Sequence, residues 1–356
     1  MPWNIINSVK TLPIKMGVGG TWIGTGTNSG NTKLAKSNNG TTWTGLAYNW
    51  TTSGKFNDVA YGKDGAGNYL WVAVSDITGG QVATSSDGNT WNRGEPTAFF
   101  TGNTIAYGKD GSGVGLWVCA CRTSGTTPGN SIATSPDGVT WTGKGKTAGA
   151  YGTSGVAYGK DGYGNGLWIA VQNEGGNSGI ATSIDANTWN TIVTSNILST
   201  INCVAYGKDS SGVGLWVVGG THGTNVFATS KNGTVWTGIG YKSTFNIIKK
   251  ISYGKDSAGN GLWIATCNSV GNAVAISSDG TNWTTATNTG VMSSYNNVKY
   301  GKDSSGTGMW LASGVGSTNS FAKSSDGNNW TGAGGKTSLF TTEGTAIGFS
   351  EIIDPP

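Results

Sequence analysis

The sequence predicts an all-β protein, a seven-bladed β-propeller of four-stranded antiparallel blades. Three observations predict it. Tyr-Gly-Lys-Asp recurs at Tyr61, Tyr107, Tyr158, Tyr206, Tyr253 and Tyr300. Ten residues after each tyrosine stands a tryptophan: Trp71, Trp117, Trp168, Trp216, Trp263 and Trp310. A second tryptophan series, Trp43, Trp91, Trp141, Trp189, Trp236, Trp283 and Trp330, is spaced 47 to 50 residues apart. Periods of this length mark propellers and solenoids, and each period here holds four short β-rich runs between turn residues.

Composition agrees. The 62 glycines suit a turn-rich β-protein, and 16 tryptophans with only 11% charged residues argue against disorder. Length alone, 356 residues, would suggest two domains. Seven repeats filling nearly the whole chain predict one closed domain over 1–356 instead. No window shows a sustained helical period with caps, so no helix is expected.

Residues 1–16 are the least repeat-like. The first unit then spans 17–43: Trp22 matches the second-strand tryptophan, and Leu34-Ala35-Lys36-Ser37 the third strand. It lacks a Tyr-Gly-Lys-Asp strand. Six full units follow at 57–91, 103–141, 154–189, 202–236, 249–283 and 296–330, each with strands A (Val-Ala-Tyr), B (Leu-Trp-Val-Ala), C (Ile-Ala-Thr-Ser) and D. The tail supplies the missing strand: Phe349 falls 19 residues after Trp330, where other units place their tyrosine 16 to 18 after the preceding tryptophan. Residues 344–349 are therefore expected to join the N-terminal unit and close the ring, which removes free sheet edges. Thr11 to Lys15 is the rival candidate for that strand.

Between strands C and D lies a turn reading Ser85-Ser86-Asp87-Gly88-Asn89-Thr90-Trp91 in the second unit. It recurs around Asp137, Asp279 and Asp326, with Asn39 and Asn232 in place of the acid in two copies and Ala186 in place of glycine after Asp185. This motif resembles the Asp-box, the bacterial neuraminidase repeat. The resemblance covers all seven units and implies a propeller in which the box is a structural turn. The residue types fit: Asp or Asn accepts backbone N–H bonds, Gly permits positive φ, and Trp anchors the turn. Of the 14 aspartates, 11 lie in these boxes or in Tyr-Gly-Lys-Asp.

The resemblance also raises sialidase activity, which in that family needs three arginines on the substrate carboxylate. This chain has two, Arg93 and Arg122. The triad cannot be built, and the protein is expected not to be an enzyme. Asp58, Asp76 and Glu95 would be the carboxylates of a two-carboxylate glycosidase, but as loop acids their ordinary reading is solvation. His222, the single histidine, makes neither a triad nor a metal site. The Asp64-Gly65-Ala66-Gly67-Asn68 loop and its relatives lack the alternating acids of a calcium loop, so no metal or cofactor is expected.

Alternating strand direction puts the nearly uniform A–B loops and boxes on one face and the variable B–C and D–A loops on the other. Recognition concentrates in variable loops on rigid scaffolds. The expected binding residues are Trp50, Phe99, Phe100, Arg122, Tyr151, Glu174, His222, Tyr241, Tyr295 and Phe340. Aromatic rings among Asn, Thr and Ser suit a multivalent carbohydrate-binding protein. The alternatives are a structural or protein-docking propeller, such as a virion surface component, and the hydrolase. A net charge of +4 with no basic run gives nucleic acid no footprint. No apolar stretch approaches a signal core or a membrane span. Cys119, Cys121, Cys203 and Cys267 are expected as free thiols, which favours synthesis in a reducing compartment or assembly into a virion.

Overall fold

The computed structural model describes residues 20–27, 33–46, 54–76, 81–94, 96, 98–122, 129–146, 152–173, 179–193, 197–221, 224–240, 245–268, 274–287, 289–336 and 339–350. They form seven four-stranded antiparallel sheets arranged as blades of a ring, with no helix among the described residues. Blade 2 shows the plan: Phe56–Lys63 is strand A, Tyr69–Ser75 B, Val82–Ser85 C and Asn92–Gly94 D, in spatial order A-B-C-D. Strand A lines the central channel. Blade 1 takes its strand A from the far end of the chain: Glu343–Phe349 pairs with Trp22–Thr27, Trp22 opposite Phe349. The C-terminal splice is thus the one formed, and Thr11 to Lys15 lie outside the described residues.

Blades pack face to face, and the two repeated aromatic residues explain how. Tyr61 in strand A and Trp71 in strand B face each other across the hairpin, their rings 4.8 Å apart. Six of the strand-B indoles also cross to the blade before them. Trp117 donates to the Lys63 carbonyl at 2.9 Å and Trp216 to Lys160 at 2.8 Å. Trp168, Trp263, Trp310 and Trp22 repeat the contact with Lys109, Lys208, Lys255 and Lys302. The glycine after each tyrosine is where the next blade's ring lies: a Cβ on Gly207 would collide with Tyr253. Tyr-Gly-Lys-Asp therefore encodes an inter-blade joint as well as a strand.

The boxes form as the residue types dictate. In Asp87's turn the Ser85 hydroxyl donates to the carboxylate and accepts from Gly88 N–H, and the carboxylate accepts from Asn89 and Thr90 N–H. Asn232 does the same work through its amide oxygen, accepting from Thr234 and Val235. Five box indoles, those of Trp141, Trp189, Trp236, Trp283 and Trp330, fold back on the turn, Trp283 donating to the Gly280 carbonyl at 3.0 Å. Ala186 holds φ of 58°, the sole positive-φ residue other than glycine among those described.

Candidate functional site at the channel mouth

The variable ends of the seven inner strands surround the mouth of the channel. In blades 2, 3, 5, 6 and 7 strand A carries a bulge there, leaving Asn57, Asn103, Asn202, Lys249 and Asn296 outside the ladder, and Thr345 is skipped in the same way in blade 1. Bulges re-aim side chains, and these turn toward the next blade. Asn57 donates to the Gly102 carbonyl at 2.9 Å, Asn103 to Thr153 at 2.9 Å and Asn202 to Ile248 at 2.8 Å. In blade 4 Ser154, at the equivalent position, donates to Ile201 at 2.7 Å. Asn296 donates to Gly344 at 3.1 Å, and Thr345 closes the circle on Phe56 at 2.6 Å. Each acceptor is the residue just before the next blade's belt residue. Lys249 departs, reaching the Ser294 hydroxyl at 2.9 Å and the Asn296 amide oxygen at 3.1 Å.

This belt rims a polar recess of about 180 Å³ that includes Asn57, Asn103, Asn202, Lys249 and Asn296. Beside it Lys55 pairs with Glu343 at 3.0 Å, and Glu343 also accepts from Asn296. Burial depresses the Lys249 pKa, opposed by nearby Glu343. A side-chain amide that donates one N–H keeps a second N–H and oxygen capacity. The recess is therefore a preorganised ring in which Asn57 and Asn103 can still take hydrogen bonds, whereas Asn296 has both N–H groups and its oxygen engaged.

Below the belt the channel is a cavity of about 340 Å³ lined by successive rings of strand-A residues. Asp58 and Lys250 meet across it, from blades 2 and 6, at 3.1 Å. The Asp58 carboxylate also accepts from Val59 and Ile105 N–H. A ring of Val and Ile follows, then a ring of small residues interrupted by Lys299, then the tyrosines and Phe349.

The expected site residues divide sharply. Trp50, Glu95, Tyr151, Glu174, His222 and Tyr241 lie outside the described residues. Phe99, Tyr295 and Phe340, expected as loop aromatics for stacking, are buried instead, as are Phe56 and Phe245. Phe99 meets Trp141 edge-on at 5.7 Å, Tyr295 meets Trp330 at 5.8 Å, and Phe340 meets Phe321 at 5.7 Å. The physical reason is that each wedge between blades needs an apolar plug at its wide, variable end, and the D–A loop supplies it. Tyr295 has even its hydroxyl engaged, donating to the Thr289 carbonyl at 2.8 Å. Phe100 is half-buried and Arg122 exposed.

Asp58 and Asp76 share a hairpin but no partner. Asp58 is buried in the channel on Lys250, whereas Asp76 is exposed and accepts from Lys55 N–H at 2.8 Å. The reading of Asp58 as a solvated loop acid is corrected: its bulged strand turns it into the lumen. The box carboxylates Asp87, Asp137, Asp185, Asp279 and Asp326 serve their own turns. All four cysteines are free and buried, and burial pushes the Cys203 and Cys267 thiols up to about 12. Such thiols are inert packing groups.

Sequence reasoning missed the belt and the two channel lysines, Lys250 and Lys299. The signal was present as columns: the residue four before each Tyr-Gly-Lys-Asp tyrosine is Asn57, Asn103, Ser154, Asn202, Lys249 or Asn296, polar in every copy.

No protein-family model matches the chain, and no curated protein does. Solved structures share its fold. A candidate 6-phosphogluconolactonase from Bacteroides fragilis aligns with a TM-score of 0.60 at 12% identity, covering 95% of this chain and all of that one. A second, from Bacteroides uniformis, gives 0.57 at 10% identity over 93% of this chain and 99% of that one. A lectin from Burkholderia pseudomallei gives 0.55 at 15% identity, covering 89% of this chain and 99% of that one. At these identities the likeness establishes the propeller fold.

Proposed function

We propose that this propeller is a non-enzymatic binding protein that recognises carbohydrate at its variable face. The observation that carries the reading is the belt: a rigid circle of amides and hydroxyls around a recess, held by the fold whether or not a ligand is present. Saccharides are recognised by fixed hydrogen-bonding groups beside aromatic surfaces, and preorganisation lowers the entropy lost on binding. Trp50, Tyr151, Glu174, His222 and Tyr241, which the sequence assigns to the variable B–C and D–A segments, form with Phe100 and Arg122 the proposed contact set. A lectin among the proteins of the same fold is consistent with this reading, while the lactonase candidates keep hydrolysis as its competitor.

A glycan array probed with the full chain tests it. Retention of a defined saccharide set, lost in Trp50→Ala and Tyr151→Ala with unfolding temperature unchanged, is expected. An array with no binding above background would sink the reading. A second reading, docking to another protein, draws on the opposite face. There the exposed large apolar side chains Tyr69, Val114, Val139, Tyr163, Ile184, Val213 and Val235 fall in four successive blades. It becomes the better account if the array stays blank.

A further inference from the structure

The repeat supplies its own controls, because each channel position is filled seven times. One ring holds Ala60, Ala106, Ala157, Ala205, Ser252 and Gly348, and in blade 7 alone Lys299. Six copies show that the fold needs only a small residue at this position. Two residues nearer the mouth the column reads Asp58, Thr104, Gly155, Cys203, Asn297 and Ala346, with Lys250 in blade 6. Both lysines are therefore departures from what the blades require.

Their surroundings make them consequential. Lys299 is solvent-accessible, yet protein surrounds it on every side, so the water it meets is that of the lumen. Enclosure lowers its pKa, Asp58 raises it and Lys250 lowers it further. Asp58 is already engaged by Lys250 at 3.1 Å and by two backbone N–H groups. Lys299 makes no direct ion pair among the described residues. The three groups thus leave one excess positive charge inside the channel. A lumen that carries excess positive charge between low-dielectric walls concentrates anions within it. The cavity of about 340 Å³ has room for a counter-ion with water, since a water occupies ~30 Å³ in the liquid.

We propose that the channel lumen binds one small oxyanion, a carboxylate or phosphate group, between Lys250 and Lys299. The site lies deeper than the belt and stands independently of the saccharide reading. The anion's charge completes a two-lysine, two-anion arrangement with Asp58. Because lysine presents a point charge with rotatable donors, either oxyanion chemistry is accepted.

The test is calorimetric titration of the full chain in phosphate-free buffer at low salt, with inorganic phosphate and with acetate as separate probes. One site per chain is expected for at least one probe, and the stronger probe identifies the source of the anion. Lys299→Ala places at this position the residue that four sister blades already carry, so folding is preserved. It should weaken binding at least tenfold. Lys302→Ala, which removes a charge from the opposite rim, should leave binding unchanged. The proposal is overturned if the unaltered chain binds neither probe, or if Lys299→Ala binds as tightly as the parent. Equal weakening by Lys302→Ala would also overturn it, since that result means diffuse surface charge.

Discussion

The two ends of the channel solve one problem with different chemistry. At the uniform end, blades are joined by strand-B indoles donating to lysine carbonyls of the preceding blade, and every such residue is tryptophan. At the variable end, the joint is a belt of side chains donating to the carbonyl of the following blade. Here Asn, Ser and Thr serve alike and Lys249 deviates. The indole must fill a wedge as well as donate, so no other residue substitutes. The belt residue need only reach one oxygen, which tolerates variation. That tolerance is what lets the variable end acquire ligand chemistry while the other end keeps the ring in register.

The comparison predicts unequal losses. Trp216→Ala should destabilise by about 3–5 kcal/mol, because it opens a cavity and removes an inter-blade bond together. Asn202→Ala should lose only ~1 kcal/mol, the net worth of one hydrogen bond. Chemical denaturation of the two variants checks this, and equal losses would mean that the belt is no weaker a joint than the indoles.

The uniform face can be probed through its turns. Partial burial raises the Asp326 pKa, but the Asn329 and Asn328 N–H groups, the Asn329 amide and the Ser324 hydroxyl outweigh it, drawing the pKa from 3.8 down to about 2. A folded-state pKa below the unfolded value means a contribution present above about pH 4 and lost as pH falls toward 2. Asp326→Asn should therefore flatten the acid limb of the stability profile in that window. Its behaviour above pH 5 should change little, since Asn39 and Asn232 hold equivalent turns. An unchanged acid limb would show that the turn does not feel the proton.

The smallest effect is a gain. Ala186 sits at φ 58° where its sister boxes use glycine. Ala186→Gly relieves the left-handed strain, offset by glycine's greater freedom when unfolded, for a net stabilisation of up to about 1 kcal/mol. A drop in melting temperature would mean that the Ala186 methyl, fully buried, contributes more by packing than its backbone loses.

The architecture was legible because it is repeated. Seven tryptophan pairs, 20 to 24 residues apart within each pair, admit few folds, and the first unit's missing strand pointed to the tail. The belt was harder to see because attention went to loop aromatics, several of which prove to be plugs. Burial is decided by the wedge between blades, and nothing local around Phe99 or Tyr295 distinguishes a plug from a stacking platform. Lys299 was hidden differently: beside the repeated Tyr-Gly-Lys-Asp motif it reads as one more lysine. Its meaning appears only when the column Ala60, Ala106, Ala157, Ala205 is set against it.

The splice of Glu343–Phe349 onto Trp22–Thr27 has a kinetic side. Thr21 N–H bonds to the Ser350 hydroxyl across 329 residues of chain, so blade 1 is completed by the longest-range hydrogen bonds among the described residues. Such contacts form late, after local hairpins have paired. During synthesis the six other blades can emerge and pair in sequence, but the circle stays open until the last inner strand leaves the ribosome, with blade 1's inner edge bare meanwhile.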